Sequence, residues 1–157
     1  PEFIEARKQN WEILRRGLAP YDEVMEFALP THATEWDPEK GFSWDASGCR
    51  TDCSWFGFKI AVKPDVAFSR TELAQELDLN SIGNRMLFGG NLLRQPAFVQ
   101  LRKDDPNSMR IVSELDGSDE IMANALFLGT YPGLTVAMLE QEVQIISSFV
   151  KNQIPGF

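Results

Sequence analysis

Soft metal ligands are scarce in this chain of 157 residues, which has one histidine, His32, and two cysteines, Cys49 and Cys53. The C-x3-C pair plus the histidine offers at most three such ligands, whereas zinc and iron–sulfur sites generally take four. Two cysteines are also too few for a disulfide scaffold, so they read as reduced thiols in a cytoplasmic protein. No apolar run approaches the roughly 20 residues of a membrane-spanning helix, and no signal peptide opens the chain. Phosphate loops ending in Lys-Ser or Lys-Thr, dinucleotide fingerprints and Gly-x-Ser-x-Gly elbows are absent too. A Cys53 nucleophile with His32 as base has no supporting pattern, because a lone histidine more often packs or faces solvent than catalyses. Asp104-Asp105 and Asp119-Glu120 fall in a turn and at a helix start, where solvation and the helix dipole account for them. These residues hold no complete catalytic set and no metal site, so the chain reads as a binding or accessory domain.

Positive charge is in deficit. Fifteen Lys and Arg against twenty-three Asp and Glu leave a net charge of −8. Such a surface repels nucleic acid and anionic lipid, and an anionic ligand needs a local arginine cluster to overcome that field. The 43% hydrophobic fraction suffices for one core and one domain. The first residue is Pro1 and an amphipathic stretch begins at once, which reads as a piece of a longer polypeptide.

Along the chain, Phe3, Ala6, Trp11, Leu14 and Leu18 fall on helical spacing, ended by Gly17 and Pro20. Residues 1–20 therefore read as a linking helix, with an apolar patch left exposed where a second domain would cover it. The run from Asp22 to Pro30 suits a strand or a helical turn. Residues 31–53 form a long polar stretch carrying Trp36, Phe42 and Trp44, too aromatic for disorder, and read as an ordered loop folded over something. From Ser54 to Val62 a strand is expected, with Phe56, Phe58, Ile60 and Val62 on one face and Trp55, Gly57, Lys59 and Ala61 on the other. Ser69 and Glu72 form a Ser-x-x-Glu capping box for a helix that closes near Asn80. Residues 82–88 are expected to return as a strand antiparallel to 54–62.

Arg102 to Ser108 reads as a charged turn and Met109 to Leu115 as an extended piece. A helix capped by Asp116 or Ser118 follows, with Ile121, Met122, Ala125 and Leu126 as its apolar side, then a strand from Phe127 to Thr130. Thr135 caps a last helix whose wide stripe, with Met138 beside Leu139, Val143, Ile146 and Val150, belongs against a sheet. Helices interleaved with a short antiparallel sheet give an α+β two-layer fold.

The stretch from Ile82 to Phe98 has no regular period, and the Gly89-Gly90 pair breaks both helix and strand. The residues support two readings equally. In one, a strand end runs into a structured loop, anchored by Met86, Leu87, Leu92 and Leu93, that presents Asn84, Arg85, Asn91 and Arg94 to an anion such as phosphate. In the other it crosses the core and its arginines merely reach solvent.

The order of pieces carries a resemblance. The linking helix, the Leu29-Pro30 pair, the aromatic strand, Ser69-Arg-Thr-Glu-Leu73, Ile82-Gly-Asn-Arg85 and Leu128-Gly-Thr-Tyr-Pro-Gly-Leu-Thr135 resemble the C-terminal small domain of the DegT/StrS-type sugar aminotransferases, of aspartate aminotransferase fold. The longer runs from Trp44 to Phe58 and Gly83 to Phe98 look like one branch, the CDP-4-keto-6-deoxy-D-glucose 3-dehydrases of lipopolysaccharide (O-antigen) 3,6-dideoxyhexose synthesis. That resemblance implies an enzyme using pyridoxamine 5′-phosphate (a form of pyridoxal 5′-phosphate) and a [2Fe–2S] cluster to remove the C3 hydroxyl of a CDP-linked 4-keto sugar. It also implies an electron-transferring reductase partner and a homodimer. The cofactor, a histidine base in place of the aminotransferase lysine, and the cluster cysteines would lie on a large domain without counterpart in these residues. Residues 21–157 would then be the small domain, inactive alone and binding no cofactor by itself.

By the same resemblance Arg85 and Arg94 are candidates for the diphosphate of the CDP-sugar substrate, Asn84 and Asn91 for its hydrogen bonds, and Phe88 for stacking. Trp36, Trp44 and Ser47 form a candidate lid. A pyridoxal-phosphate sugar-nucleotide aminotransferase small domain and a stand-alone binding domain are the alternatives.

Overall fold

A computed structural model describes residues 1–52 and 54–157. The first helix, α1 (Glu2–Leu18), carries Glu2 and Glu5 in its first turn and Arg15 and Arg16 in its last, each sign set against the opposing end of the helix dipole. Trp11, Leu14 and Leu18 form its buried stripe, and Trp11 donates from Nε1 to the Gly57 carbonyl at 3.2 Å. At its start, Phe3 stays 72% exposed.

A 3-10 turn, Ala19–Tyr21, leads to β1 (Met25–Phe27), then β2 (Ala33–Asp37), β3 (Gly41–Trp44) and β4 (Gly57–Val62). Next come α2 (Arg70–Leu79), β5 (Asn84–Met86), a 3-10 turn over Leu92–Arg94 and α3 (Pro96–Asp104). The chain finishes with α4 (Asp116–Asn124), β6 (Ala125–Gly129) and α5 (Val136–Gln153). The main sheet has the order β1-β4-β6-β5 with every pair antiparallel. Helices α1, α2 and α5 cover one face, where Phe58, Ile60, Leu126 and Leu128 meet Leu14, Leu77, Leu139 and Ile146 in one core. Ser69 and Glu72 make the reciprocal capping box at α2, and Thr135 accepts from the Met138 amide at α5. The architecture is α+β in two layers.

Several local expectations are corrected. Residues 31–53 contain a hairpin, β2–β3, rather than a loop alone. Asp37 Oδ1 folds the turn by accepting from the Glu39 and Lys40 amides at 2.9 and 2.7 Å, and Trp36 sits opposite Phe42. Strand β5 pairs with β6 instead of β4, because the apolar run Ala125–Gly129, which starts two residues earlier than Phe127, takes the place beside β4. Ala125 and Leu126 accordingly lie in a strand, not on the apolar side of α4. Asp116 and Ser118 do not cap α4, since Leu115 stands at that position without a side-chain bond. Residues 96–104 are helical, Pro96 occupying the first turn where a missing N–H costs nothing, and 109–115 form no strand. Met86, Leu92 and Met138 are exposed rather than anchored.

Candidate functional site

The face of the sheet opposite the helices is open. In an antiparallel ladder, directly paired residues share a face. Arg85 pairs with Phe127, and Phe127 with Lys59, so the three side chains form one row across β5, β6 and β4. Their neighbours Asn84, Leu126, Leu128, Phe58 and Ile60 point to the helical face by the same alternation. A Cβ on Gly57 would lie 2.5 Å from the Phe127 ring, so the glycine leaves the room that ring occupies. Phe56 meets Phe127 edge-on, with centroids 5.6 Å apart, and Phe88 lies 6.3 Å from Phe56. The result is a trough of about 320 Å³ lined by Trp55, Phe56, Lys59, Leu87, Phe88 and Phe127.

Phe56 thus faces the open side, whereas simple alternation put it with Phe58. The regular strand begins only at Gly57, and Trp55 turns inward to Trp11 at 5.2 Å instead.

The five residues expected to face a ligand divide into two groups. Asn84 donates to the Asp78 carboxylate at 2.8 Å and the Ala74 carbonyl at 3.3 Å, tying β5 to α2. Asn91, only 4% exposed, donates to Asp119 Oδ1 at 2.7 Å, and Arg94 grips both oxygens of the same carboxylate through Nε and Nη2. These bonds hold the Asp119 carboxyl down at about 2, the arginine contributing most. Asn84, Asn91 and Arg94 are therefore engaged within the protein. Arg85 and Phe88 are exposed, and Arg85 has no side-chain hydrogen bond or ion pair among the described residues. Phe88 sits at φ +51, a backbone region a bulky side chain seldom adopts, and the residue is 75% exposed.

The three residues expected to form a lid lie with the hairpin and the turn after it. Trp36 is covered by the Arg15 and Arg16 guanidinium groups of α1, at 4.9 and 5.7 Å from its ring. Trp44 lies flat on His32, and Ser47 donates to Asp45 within the turn. Trp44 lines a cleft of about 590 Å³ with Lys8, His32, Arg50 and Asp52, which takes in none of residues 82–98. Trp55, stacked at 6.0 Å from Trp44 and also lining the trough, is the side chain between the two regions. His32 is a packed residue whose Nε2 meets Asp52 at 3.2 Å, and Lys8 holds the same carboxylate at 2.8 Å. Cys53, which no sequence pattern supports as a nucleophile, lies outside the described residues.

Among the described residues no three His, Cys, Asp or Glu side chains converge to hold a metal, and Cys49 is exposed on its turn. Lys8 and Lys59 are ion-paired to Asp52 and Glu26, and Lys63 donates to the Asp22 carbonyl. What the open face offers is an unpaired guanidinium beside an aromatic trough. That combination suits a ligand that is anionic at one end and flat or apolar at the other.

Sequence reading missed Phe127, Lys59 and Asp119. The alternation of Gly57, Lys59 and Ala61 already marked the outer face of β4. The pairing that brings Arg85 into the same row joins residues more than forty apart and leaves no local trace.

The pattern of the DegT/DnrJ/EryC1/StrS aminotransferase family matches residues 1–147. The chain is 38% identical over 148 residues to the lipopolysaccharide biosynthesis protein RfbH of Salmonella typhimurium, covering 94% of this chain and 29% of that protein. It is 36% identical to a dTDP-4-dehydro-2,6-dideoxy-D-glucose 3-dehydratase of Saccharopolyspora spinosa, covering 94% of the chain and 27% of the relative. In structure it is similar to an E. coli GDP-4-keto-6-deoxy-D-mannose-3-dehydratase solved with hydrated PLP, with a TM-score of 0.69 at 20% identity over 93% of this chain and 31% of that one. An aminotransferase from Psychrobacter cryohalolentis also gives 0.69, at 14% identity over 98% of this chain and 35% of that one. The chain thus spans about three-tenths of the curated relatives it matches.

Proposed function

Because the chain belongs to the DegT/DnrJ/EryC1/StrS aminotransferase family, we propose that it is the small domain of a sugar-nucleotide 3-dehydratase and that its open sheet face forms one wall of the substrate pocket. The observation that carries this reading is the row Arg85–Phe127–Lys59 beside the exposed Phe88. Arg85 pairs with the diphosphate through charge-assisted hydrogen bonds, worth more than neutral ones because the donor is ionised. Phe88 and the trough take the flat or apolar part of the ligand. Asn91 and Arg94 reach a phosphate only by giving up Asp119, and Asn84 only by giving up Asp78.

The wider reading is a CDP-4-keto-6-deoxyglucose 3-dehydrase of O-antigen dideoxysugar synthesis, cytoplasmic and homodimeric, served by a reductase. The pyridoxamine phosphate and [2Fe–2S] groups, which supply the electron sink and the reducing electrons when bound, sit on a domain outside residues 1–157. This chain's share is binding and orientation, and alone it is inactive. The trough and the unpaired arginine support the binding part of this reading; the dehydratase names of the relatives support the chemistry. A sugar-nucleotide aminotransferase is the second reading, favoured by the family's own description and by the aminotransferase of equal TM-score.

The test uses the full-length polypeptide that carries this chain. Binding of CDP, followed calorimetrically, is expected to weaken by roughly tenfold or more in Arg85→Ala, the scale of a lost charge-assisted bond. Unchanged affinity removes the phosphate role. Incubation with a CDP-4-keto-6-deoxy sugar, followed by mass spectrometry, separates loss of the C3 hydroxyl from replacement of the keto oxygen by an amine.

A further inference from the structure

Between β5 and α3 the chain makes a loop that would be free to swing, were it not fixed at three points. Gly90 stands at φ +59 and packs so closely on α4 that a Cβ there would lie 2.5 Å from Met122 Cβ and 3.0 Å from its Cα. Gln95 Nε2 donates to the Gly89 carbonyl at 2.7 Å, closing the loop on itself. The third point is Asp119, in the first turn of α4. Its carboxylate takes the buried Asn91 amide and both Arg94 donors, while Asn91 Oδ1 accepts from the Leu93 amide at 3.0 Å and sets the 3-10 turn.

Helix α4 is itself tied to α2 and to the sheet. Arg70 of α2 donates to the Met122 and Ala123 carbonyls at 3.1 and 3.2 Å, and α4 runs without a break into β6. Strand β6 in turn pairs with β5, so both ends of the 87–91 segment are referred to one rigid body.

We infer that Asp119 is a positioning residue for the ligand-facing loop: by clamping Asn91 and Arg94 it fixes Phe88 and the trough wall without touching the ligand itself. Arg94 then belongs to the clamp and Arg85 alone to the phosphate. This deepens the functional reading and rests on it only for the ligand; the clamp is a property of the chain. A carboxylate held at about 2 keeps its charge throughout the range in which proteins work, so the clamp stays closed at neutral pH.

The experiment compares Asp119→Asn, Arg94→Lys and the charge swap Asp119→Arg/Arg94→Asp with the unmodified full-length polypeptide, by amide hydrogen exchange over residues 87–95 and by CDP titration. Expected for Asp119→Asn are exchange roughly tenfold faster across the loop and CDP binding weakened by a similar factor. The swap is expected to restore both in part, a recovery that a ligand role for Arg94 does not allow. Faster exchange accompanied by tighter CDP binding overturns the inference, because Arg94 would then be a phosphate ligand that Asp119 holds back. Unchanged exchange in Asp119→Asn overturns it as well. If CDP fails to bind even the unmodified protein, the functional reading falls, and the exchange comparison still decides whether the clamp exists.

Discussion

His32 lies flat against Trp44, ring centroids 4.5 Å apart and planes 16° from parallel, and both belong to a cluster running through Trp55 to Trp11 in α1. The hairpin is thereby held to the first helix by rings rather than by a continuous sheet. Trp44→Ala is expected to cost about 2 kcal/mol, combining lost apolar burial with lost ring contacts. The check is the urea midpoint, which should fall at unchanged slope. Trp44→Phe should recover part of the loss, and an unaltered midpoint in the alanine variant would show that the hairpin is not anchored there.

Glu142 on α5 has a buried carboxyl oxygen without a hydrogen-bond partner among the described residues, and burial pushes its carboxyl up to about 7. The sign follows from proton counting. Between the ordinary carboxylate range and 7, the folded chain keeps a proton that the unfolded chain has released, so this group's contribution to stability is most favourable at acid pH and declines as pH rises towards 7. Glu142→Gln is therefore expected to stabilise the protein above pH 7, by on the order of 1 kcal/mol once the side chain's partial exposure is allowed for. Near pH 4 the gain should vanish. Melting temperatures across that range test it, and a gain independent of pH would point away from the carboxyl.

Ser69 accepts from the Glu72 amide at 3.2 Å, and the Glu72 carboxylate accepts from the Ser69 amide at 2.7 Å. Removing the hydroxyl should cost about 1 kcal/mol. The bond from Ser69 holds the Glu72 carboxyl below its ordinary value, so its share of stability is present at neutral pH and fades as pH falls through the acid range. Chemical denaturation of Ser69→Ala at pH 7 and pH 3.5 should give a larger deficit at the higher pH.

Features written into neighbouring residues were legible in the sequence. The stripe of Trp11, Leu14 and Leu18, the Ser69–Glu72 box and the Thr135 cap each depend on side chains within a turn or two of one another. The hairpin escaped because its turn is built by one carboxylate, Asp37, and its strands are short and half-exposed. Helix α3 escaped because Pro96 reads as a breaker unless it falls in a first turn. At the candidate site, Arg85 and Phe88 were identifiable as unusual residues on a broken pattern. Whether the other polar groups were free was not, since Asn91 and Arg94 meet Asp119 at separations of 28 and 25 residues. Only the folded chain brings that carboxylate to them.

The strand order β1-β4-β6-β5 has one more consequence. It places the two three-residue strands on the outside and the longer strands, Gly57–Val62 and Ala125–Gly129, within. An incoming chain that tried to extend the sheet would find only three residues of ladder on either margin. On one side Pro30 follows closely after the strand, and on the other the charged Arg85 stands at mid-strand. Short, charged or proline-flanked margins disfavour edge-to-edge growth into aggregates. The sheet can therefore leave a broad aromatic face open without offering its edges to copies of itself.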